Sequence, residues 1–239
     1  MNDDPRTAEL AGALARVEKR VRAACDASGR DRADVTLVVV TKTFPAADAL
    51  RLAGLGVREL AENRDQEAAP KAAEVDRAGA DVRWHFVGQL QRNKARSVAR
   101  YAQVVHSVDR EPLARALDRA AAEAGRRLDA LVQVDLGGTA DRPGAARGGA
   151  APSDVAPLAD LVAASEGLRL RGLMAVAPRG EDPAAAFERL ATLAADLRRS
   201  HPEATWLSAG MSGDLEQAVA AGATHLRVGS AVLGSRPPL

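Results

Sequence analysis

Val35-Thr36-Leu37-Val38-Val39-Val40 (VTLVVV) is followed at once by Thr41-Lys42-Thr43. A continuous run this rich in β-branched side chains, with no polar alternation, reads as a strand buried on both faces, the kind found in parallel sheets. Upstream, Thr7 to Ala27 reads as an amphipathic helix. Leu10, Leu14, Val17 and Val21 recur at three-to-four spacing, Thr7 stands as N-cap and Gly29 lies beyond the end. Downstream, Pro45 opens a helix to about Leu55.

The alternation continues outward. Strands are read near Arg58 to Glu62, at Arg83 to Val87, Gln103 to Ser107, Leu128 to Leu136, Leu168 to Val176, Thr205 to Ser208 and His225 to Val228. Helices between them run from about Asp65 to Arg77, Asn93 to Tyr101, Glu111 to Gly125, Ser153 to Ser165, Pro183 to Ser200 and Gly213 to Ala221. Eight strands alternating with helices over a chain of 239 residues predict an α/β fold, a single (β/α)8 TIM barrel with an extra N-terminal helix at 7–27, rather than an open doubly wound sheet. The whole of 1–239 is read as one domain. The Gly/Ala-rich stretch Gly137 to Pro152 (GGTADRPGAARGGAAP) reads as a flexible insert after the fifth strand. Its place on the catalytic face of a barrel is also that of a lid.

Composition narrows the function. With 46% hydrophobic and 27% charged residues the chain can bury a substantial core. Lys plus Arg total 33 against 32 for Asp plus Glu, a net charge of +1 without a block of like charge, which disfavours nucleic-acid and membrane-surface partners. No apolar run approaches a membrane span, and the acidic start Met1-Asn2-Asp3-Asp4-Pro5 is unlike a signal peptide, so a cytoplasmic home is expected. The single Cys25 excludes an intramolecular disulfide and a cysteine-rich zinc site, and no metal is expected.

Of the 33 basic residues only Lys19, Lys42, Lys71 and Lys94 are lysines. Where charge alone is required this chain writes Arg, so a lysine in an apolar setting suggests a group that must lose its proton and act as a nucleophile. Lys42, directly after VTLVVV, is read as that residue. Its alternative is an ion pair at the barrel mouth with a residue such as Glu62. The other strand-end residues are Asn63, His85 with Gly88, His106 with Ser107, Asp135, Met174, Ser208, and Arg227 with Gly229. The stretches Leu207 to Asp214 (LSAGMSGD) and Arg227 to Ala231 (RVGSA) follow the seventh and eighth strands, the usual barrel place for a phosphate. Ser212 and Ser230 offer hydroxyls there, and Gly210, Gly213 and Gly229 allow close backbone approach. A reactive lysine facing a phosphate cradle suggests a phosphorylated carbonyl compound, held by a pyridoxal phosphate binder or turned over by a class I aldolase.

Trp84 to Lys94 (WHFVGQLQRNK) resembles the signature of the pyridoxal phosphate homeostasis proteins, the YggS-like or PROSC-like family. So do VVVTKTFP around Lys42, ENRDQE at Glu62 to Glu67, HSVDR at His106 to Arg110, LRLRGLMAVAP at Leu168 to Pro178 and the long stretch Leu207 to Arg236. The resemblance implies a barrel of the alanine-racemase-like class that carries pyridoxal 5′-phosphate as a Schiff base on Lys42. It implies Ser208, Ser212, Gly229 and Ser230 at the phosphate, Asn63 beside the ring and Arg227 facing the pyridine nitrogen. Departures from the family pattern are Ala61 for a usual Gly, Arg64 for a usual aromatic and Ser230 for a common Thr.

An arginine at the ring nitrogen opposes its protonation and weakens the electron sink that carbanion chemistry needs. The only tyrosine, Tyr101, ends the helix after the third strand, so no racemase-type proton donor is evident opposite Lys42. The expectation is therefore a monomeric carrier acting in intracellular pyridoxal phosphate homeostasis. It would deliver the cofactor to pyridoxal-dependent apoenzymes without established catalytic turnover. The alternatives are a slow amino-acid racemase-like enzyme on the same Schiff base, or a Schiff-base aldolase. Trp84 and Phe86 flank His85, which is read as a hydrogen-bonded structural residue rather than a base. Lys94 with Arg92 and Arg96 is read as a solvated helix face.

Overall fold

The computed structural model describes residues 4–137 and 148–235. Helix α1 (Pro5–Ala27) leads into β1 (Thr36–Val40), α2 (Ala46–Gly54), β2 (Glu59–Glu62), α3 (Asp65–Arg77) and β3 (Arg83–Phe86). Then come α4 (Ala95–Tyr101), β4 (Val104–Val108), α5 (Glu111–Glu123), β5 (Leu128–Gln133), α6 (Val155–Ala163) and β6 (Leu168–Met174). The last elements are α7 (Pro183–Ser200), β7 (Trp206–Ser208), α8 (Leu215–Ala220), β8 (His225–Val228) and α9 (Ser230–Leu233). Every strand pairs in parallel with the next, and β1 pairs with β8, closing the eight strands into the expected (β/α)8 barrel.

Burial follows the alternation of the strands. Val39, Leu60, Trp84, Phe86, Val105, Val132, Leu173, Leu207 and Val228 face outward and pack with the helices into the main core. Each such apolar side chain contributes about 1.5–3 kcal/mol when fully buried, which is why the strand pattern is so legible. The residues between them point into the barrel. Val38, Val40 and Ala61 form one interior cluster and Val104, Leu131 and Met174 another. The buried polar side chains His85, His106, Ser208 and Arg227 belong to the same inward-facing positions.

Several boundaries differ from the sequence reading. α1 begins at Pro5, not Thr7: Asp4 is the N-cap, accepting from the Arg6 N–H at 3.1 Å, and the Thr7 hydroxyl donates to the same carboxylate at 3.0 Å. Proline at the first helical position needs no donor, so the helix starts two residues earlier. β5 ends at Gln133; Val134 continues only as an isolated parallel bridge to Ala150. Residues 92–94 and 152–154 form short 3-10 turns rather than the first turns of α4 and α6. Helix α9 was not anticipated, because four residues carry no readable period. The lid or floppy-loop reading of 137–152 falls mainly on residues 138–147, outside the described residues.

Candidate functional site

Two strand ends meet at the mouth of the barrel. The register Val38↔Arg227 and Val39↔Val228 carries Gly229 alongside Val40, so the loop after β8 runs beside the end of β1 and Lys42. Gly229 permits that approach, since a Cβ there would stand 3.2 Å from the Val40 carbonyl oxygen. Lys42 is half-buried. Its neighbour Thr43 has φ +70°, a conformation that a β-branched residue adopts only under constraint, and its N–H donates to Glu67 Oε2 at 3.2 Å. Across the mouth the Ser230 and Ser212 hydroxyls lie 3.2 Å apart, and the Ala231 N–H donates to the Ser212 hydroxyl at 3.2 Å. The loop bearing Ser212 is held from behind by Arg20 of α1, which donates to the Ser212 carbonyl at 3.0 Å and pairs bidentately with Glu216.

On the other flank of Lys42, β2 ends at Glu62 and Asn63. Glu62 is fully buried; its Oε1 accepts from the Thr41 hydroxyl at 2.7 Å and from the Lys71 ammonium, which also donates to the Thr41 carbonyl at 2.8 Å. The side chains adjoining Lys42 and Asn63 are thereby tied to each other and to α3. Lysine rarity pointed to Lys42 as the lysine in an apolar setting, but the most deeply placed lysine is Lys71, 7% exposed. Its compact ammonium fits between two strand ends where the planar fork of an arginine is far wider. Asn63 itself rests against Gly88, where an added Cβ would lie 2.0 Å from the Asn63 carbonyl oxygen.

Arg227 and Ser208 lie one step inside the mouth. Arg227 is 5% exposed; its Nη1 donates to the Ser208 hydroxyl at 2.5 Å and its Nη2 to the Ala175 carbonyl at 2.8 Å. Burial pulls its pKa down to about 10, partly countered by Asp214, so the guanidinium keeps its charge near neutrality. Ser208, read from the resemblance as a phosphate ligand, is fully buried with its hydroxyl engaged by both Arg227 and His106. His85 and His106, read as strand-end residues, point into the barrel, and burial holds both imidazoles below their ordinary pKa.

Known proteins bear on this arrangement. Residues 13–237 match the family described as alanine racemase, N-terminal domain. The pyridoxal phosphate homeostasis protein of Mycobacterium tuberculosis is 45% identical over 245 residues, covering 97% of this chain and 94% of its own. The protein of that description from Pseudomonas aeruginosa is 42% identical over 230 residues, 95% of this chain and 96% of its own. The chain belongs to the pyridoxal phosphate homeostasis protein family. Among solved structures, PipY of Synechococcus elongatus with PLP bound is 36% identical, covers 94% of this chain and 100% of its own, and superposes with a TM-score of 0.80.

The departures from the family pattern sit in distinct places. Ala61 packs in the interior cluster with Val38 and Val40, beneath the mouth. Arg64 turns to solvent at the start of α3, 3.4 Å from Glu67. Tyr101 lies where α4 ends, lining a cavity of about 440 Å³ between α3 and α4; burial and the Asp65 and Glu62 carboxylates push its phenol up. Lys94 is 3.8 Å from Asp65 and Arg96 is 3.2 Å from Glu123, so this part of the family signature is paired on the α4 side. Among the described residues no group of three or more His, Cys, Asp or Glu is placed to hold a metal ion, and no helix is long and apolar enough to cross a membrane. Gly88, read as a strand-end residue, supports the site through its contact with Asn63. Arg20 and Lys71 support it without having been read as part of it, and neither has a local cue in the sequence.

Proposed function

We propose that this chain binds pyridoxal 5′-phosphate at the carboxyl end of its barrel and serves as a monomeric cytoplasmic carrier that hands the cofactor to apoenzymes. The observation that carries the reading is the juxtaposition of Lys42 at the end of β1 with the Ser212, Gly229 and Ser230 loops, drawn together by the β1–β8 register. PLP-bound PipY, 36% identical to this chain, supports it.

The residues at the mouth fit such a ligand. The cofactor, when bound, supplies an aldehyde that a primary amine engages reversibly with loss of water. Lys42 offers that amine. Ser212 and Ser230 offer hydroxyl donors to a phosphate, and Gly229 lets the backbone approach it. Asn63 stands on the flank that the ring would occupy. Arg227, charged at neutral pH and anchored by Ser208 and Ala175, faces the ring nitrogen in this reading and opposes its protonation. Ser208 then acts through Arg227. Such a site holds a reactive aldehyde while withholding the electron sink that amino-acid chemistry requires. That combination supports a carrier over a racemase.

The test is peptide mass analysis of the purified chain incubated with pyridoxal phosphate, with and without borohydride, together with its visible spectrum. A phosphopyridoxyl group fixed on Lys42 and a yellow protein, both absent in Lys42→Ala, are expected. An adduct on another lysine, or colour that survives Lys42→Ala, would sink the assignment. Solvent deuterium incorporated at the α-carbon of added amino acids would replace the carrier with an enzyme.

A further inference from the structure

A single file of hydrogen bonds crosses the interior of the barrel behind the proposed site. Arg227 Nη1 lies 2.5 Å from Ser208 Oγ, Ser208 Oγ 2.8 Å from His106 Nδ1, and His106 Nε2 2.7 Å from His85 Nδ1. His85 Nε2 in turn meets a carboxylate oxygen of Glu59. Ser208, His106 and His85 are fully buried. Glu59, the first residue of β2, opens at the amino end of the barrel with its side chain 24% exposed. The file therefore joins the two faces of the molecule.

Its polarity follows from its ends. A carboxylate only accepts, so His85 donates through Nε2–H. A neutral imidazole has one N–H, so His85 Nδ1 accepts, and the donor it accepts from is His106 Nε2–H. His106 Nδ1 is then also an acceptor, and the Ser208 hydroxyl hydrogen is committed to it. Both lone pairs of Ser208 are left for the guanidinium of Arg227, which only donates. Burial holds both imidazoles below their ordinary pKa, His106 further through the neighbouring His85 and Arg227 and His85 in spite of Glu59, which favours the neutral forms this ordering needs.

We propose that His106, His85 and Glu59 are positioning residues for Arg227. By drawing the Ser208 hydroxyl hydrogen away from the guanidinium, they hold the cation that faces the ring nitrogen in one orientation. The inference rests on the binding reading above and extends it to Glu59, on the opposite face of the barrel from Lys42. If His106 is removed, Ser208 is free to rotate its hydrogen toward Arg227, and the guanidinium loses its acceptor. If Glu59 is removed, nothing fixes the direction of the file, and both histidine tautomers can reverse.

Two measurements test this. In the unloaded chain, NMR of 15N-labelled histidine is expected to show His85 and His106 as neutral Nε2–H tautomers at pH 7, with Glu59→Leu shifting the tautomer of His106. A charged imidazolium or an Nδ1–H tautomer at either position in the parent chain overturns the proposed polarity. In the loaded chain, His106→Leu and Glu59→Leu are expected to move the visible absorption maximum and weaken pyridoxal phosphate binding by about tenfold, as loss of a hydrogen bond to a charged group would. His106→Asn, which keeps an acceptor for Ser208, is expected to restore most of both. Glu59 is partly exposed, so Glu59→Leu remains informative if His106→Leu fails to fold. A lowered melting temperature with parental spectrum and affinity in both variants would make the file merely structural. Failure of the parent chain to form the Lys42 adduct would overturn the binding reading itself, and this inference with it.

Discussion

Gly88 has no side chain because there is no room for one: an added Cβ would lie 2.0, 2.7 and 2.8 Å from the carbonyl oxygen, carbonyl carbon and Cα of Asn63. These are backbone atoms at the end of a strand and cannot swing aside, so Gly88→Ala must displace Asn63 from the flank of Lys42. We expect this variant to lose at least about tenfold in pyridoxal phosphate affinity, since a shift near 1 Å in a positioning group commonly costs that much or more. Gly54→Ala in α2, where nothing lies within 4 Å of the new methyl, is the matched control and is expected to bind as the parent does. An absorbance titration reads both, and equal affinities would show that Asn63 has no part in holding the ring. Lys71 makes a related point about spacing. The scarcity of lysine marked positions where Arg would not serve, but whether a lysine reacts or locks two strand ends together depends on what faces it. Glu62 stands nine positions away in the chain and meets Lys71 only because α3 folds back on β2.

Helix α1 is the addition to the barrel, and it reaches the site through Arg20, whose guanidinium holds the Ser212 carbonyl at 3.0 Å while pairing with Glu216. The ion pair is 38% and 46% exposed, so its contribution to global stability is small, about 0–1 kcal/mol. Its effect is local. Arg20→Ala is expected to leave the melting temperature nearly unchanged while weakening binding of pyridoxal phosphate more than that of pyridoxal, which has no phosphate for the Ser212 loop to hold. Equal losses for both ligands would mean that α1 does not act through that loop. The elements themselves were largely readable: β1, β8 and α7 follow from apolar runs and periodicity, because burial repeats along the chain at the period of each element. The strand-end rule and the resemblance together placed Lys42, Asn63, Arg227, Gly229 and Ser230 at one mouth. The remaining contacts, Ser208 with His106 at a separation of 102 residues and Arg20 with Ser212 at 192, had no local signal. Side chains from different βα units meet there only after the barrel has closed. The over-long reading of β5 has a similar cause, for the chain stays extended past Gln133 while its partner changes from β6 to Ala150.

For the molecule as a whole, a barrel filled partly with histidine gives stability a defined pH dependence. His85, His106 and His225 lie within 5.0–6.4 Å of one another between ring centroids, all buried. Burial is the first cause that holds each below its ordinary pKa, His225 at about 3; neighbouring imidazoles and the Arg83, Arg171 and Arg227 guanidiniums act the same way, while Glu59 pulls His85 partly back. In the unfolded chain these groups titrate near about 6.5. Below that pH the unfolded state takes up protons that the folded state refuses, so folding stability falls as the solution is acidified from pH 7. Each histidine contributes a slope approaching about 1.4 kcal/mol per pH unit, up to three times that if all three remain neutral. The ion-paired carboxylates Asp4, Glu18 and Glu216 are held below their ordinary range, and the stability they add is present above about pH 4.5 and lost only below it. Between pH 5 and 6.5 the fall in stability therefore comes from the three buried histidines and not from those carboxylates. Urea unfolding of the unloaded chain is expected to show a markedly lower midpoint at pH 5 than at pH 7. His225→Gln, at the outer end of the triad, should reduce the steepness by about a third, in line with one proton in three. Equal midpoints at the two pH values would mean that the folded barrel accepts those protons, and the fixed tautomers inferred for its interior would not survive that result.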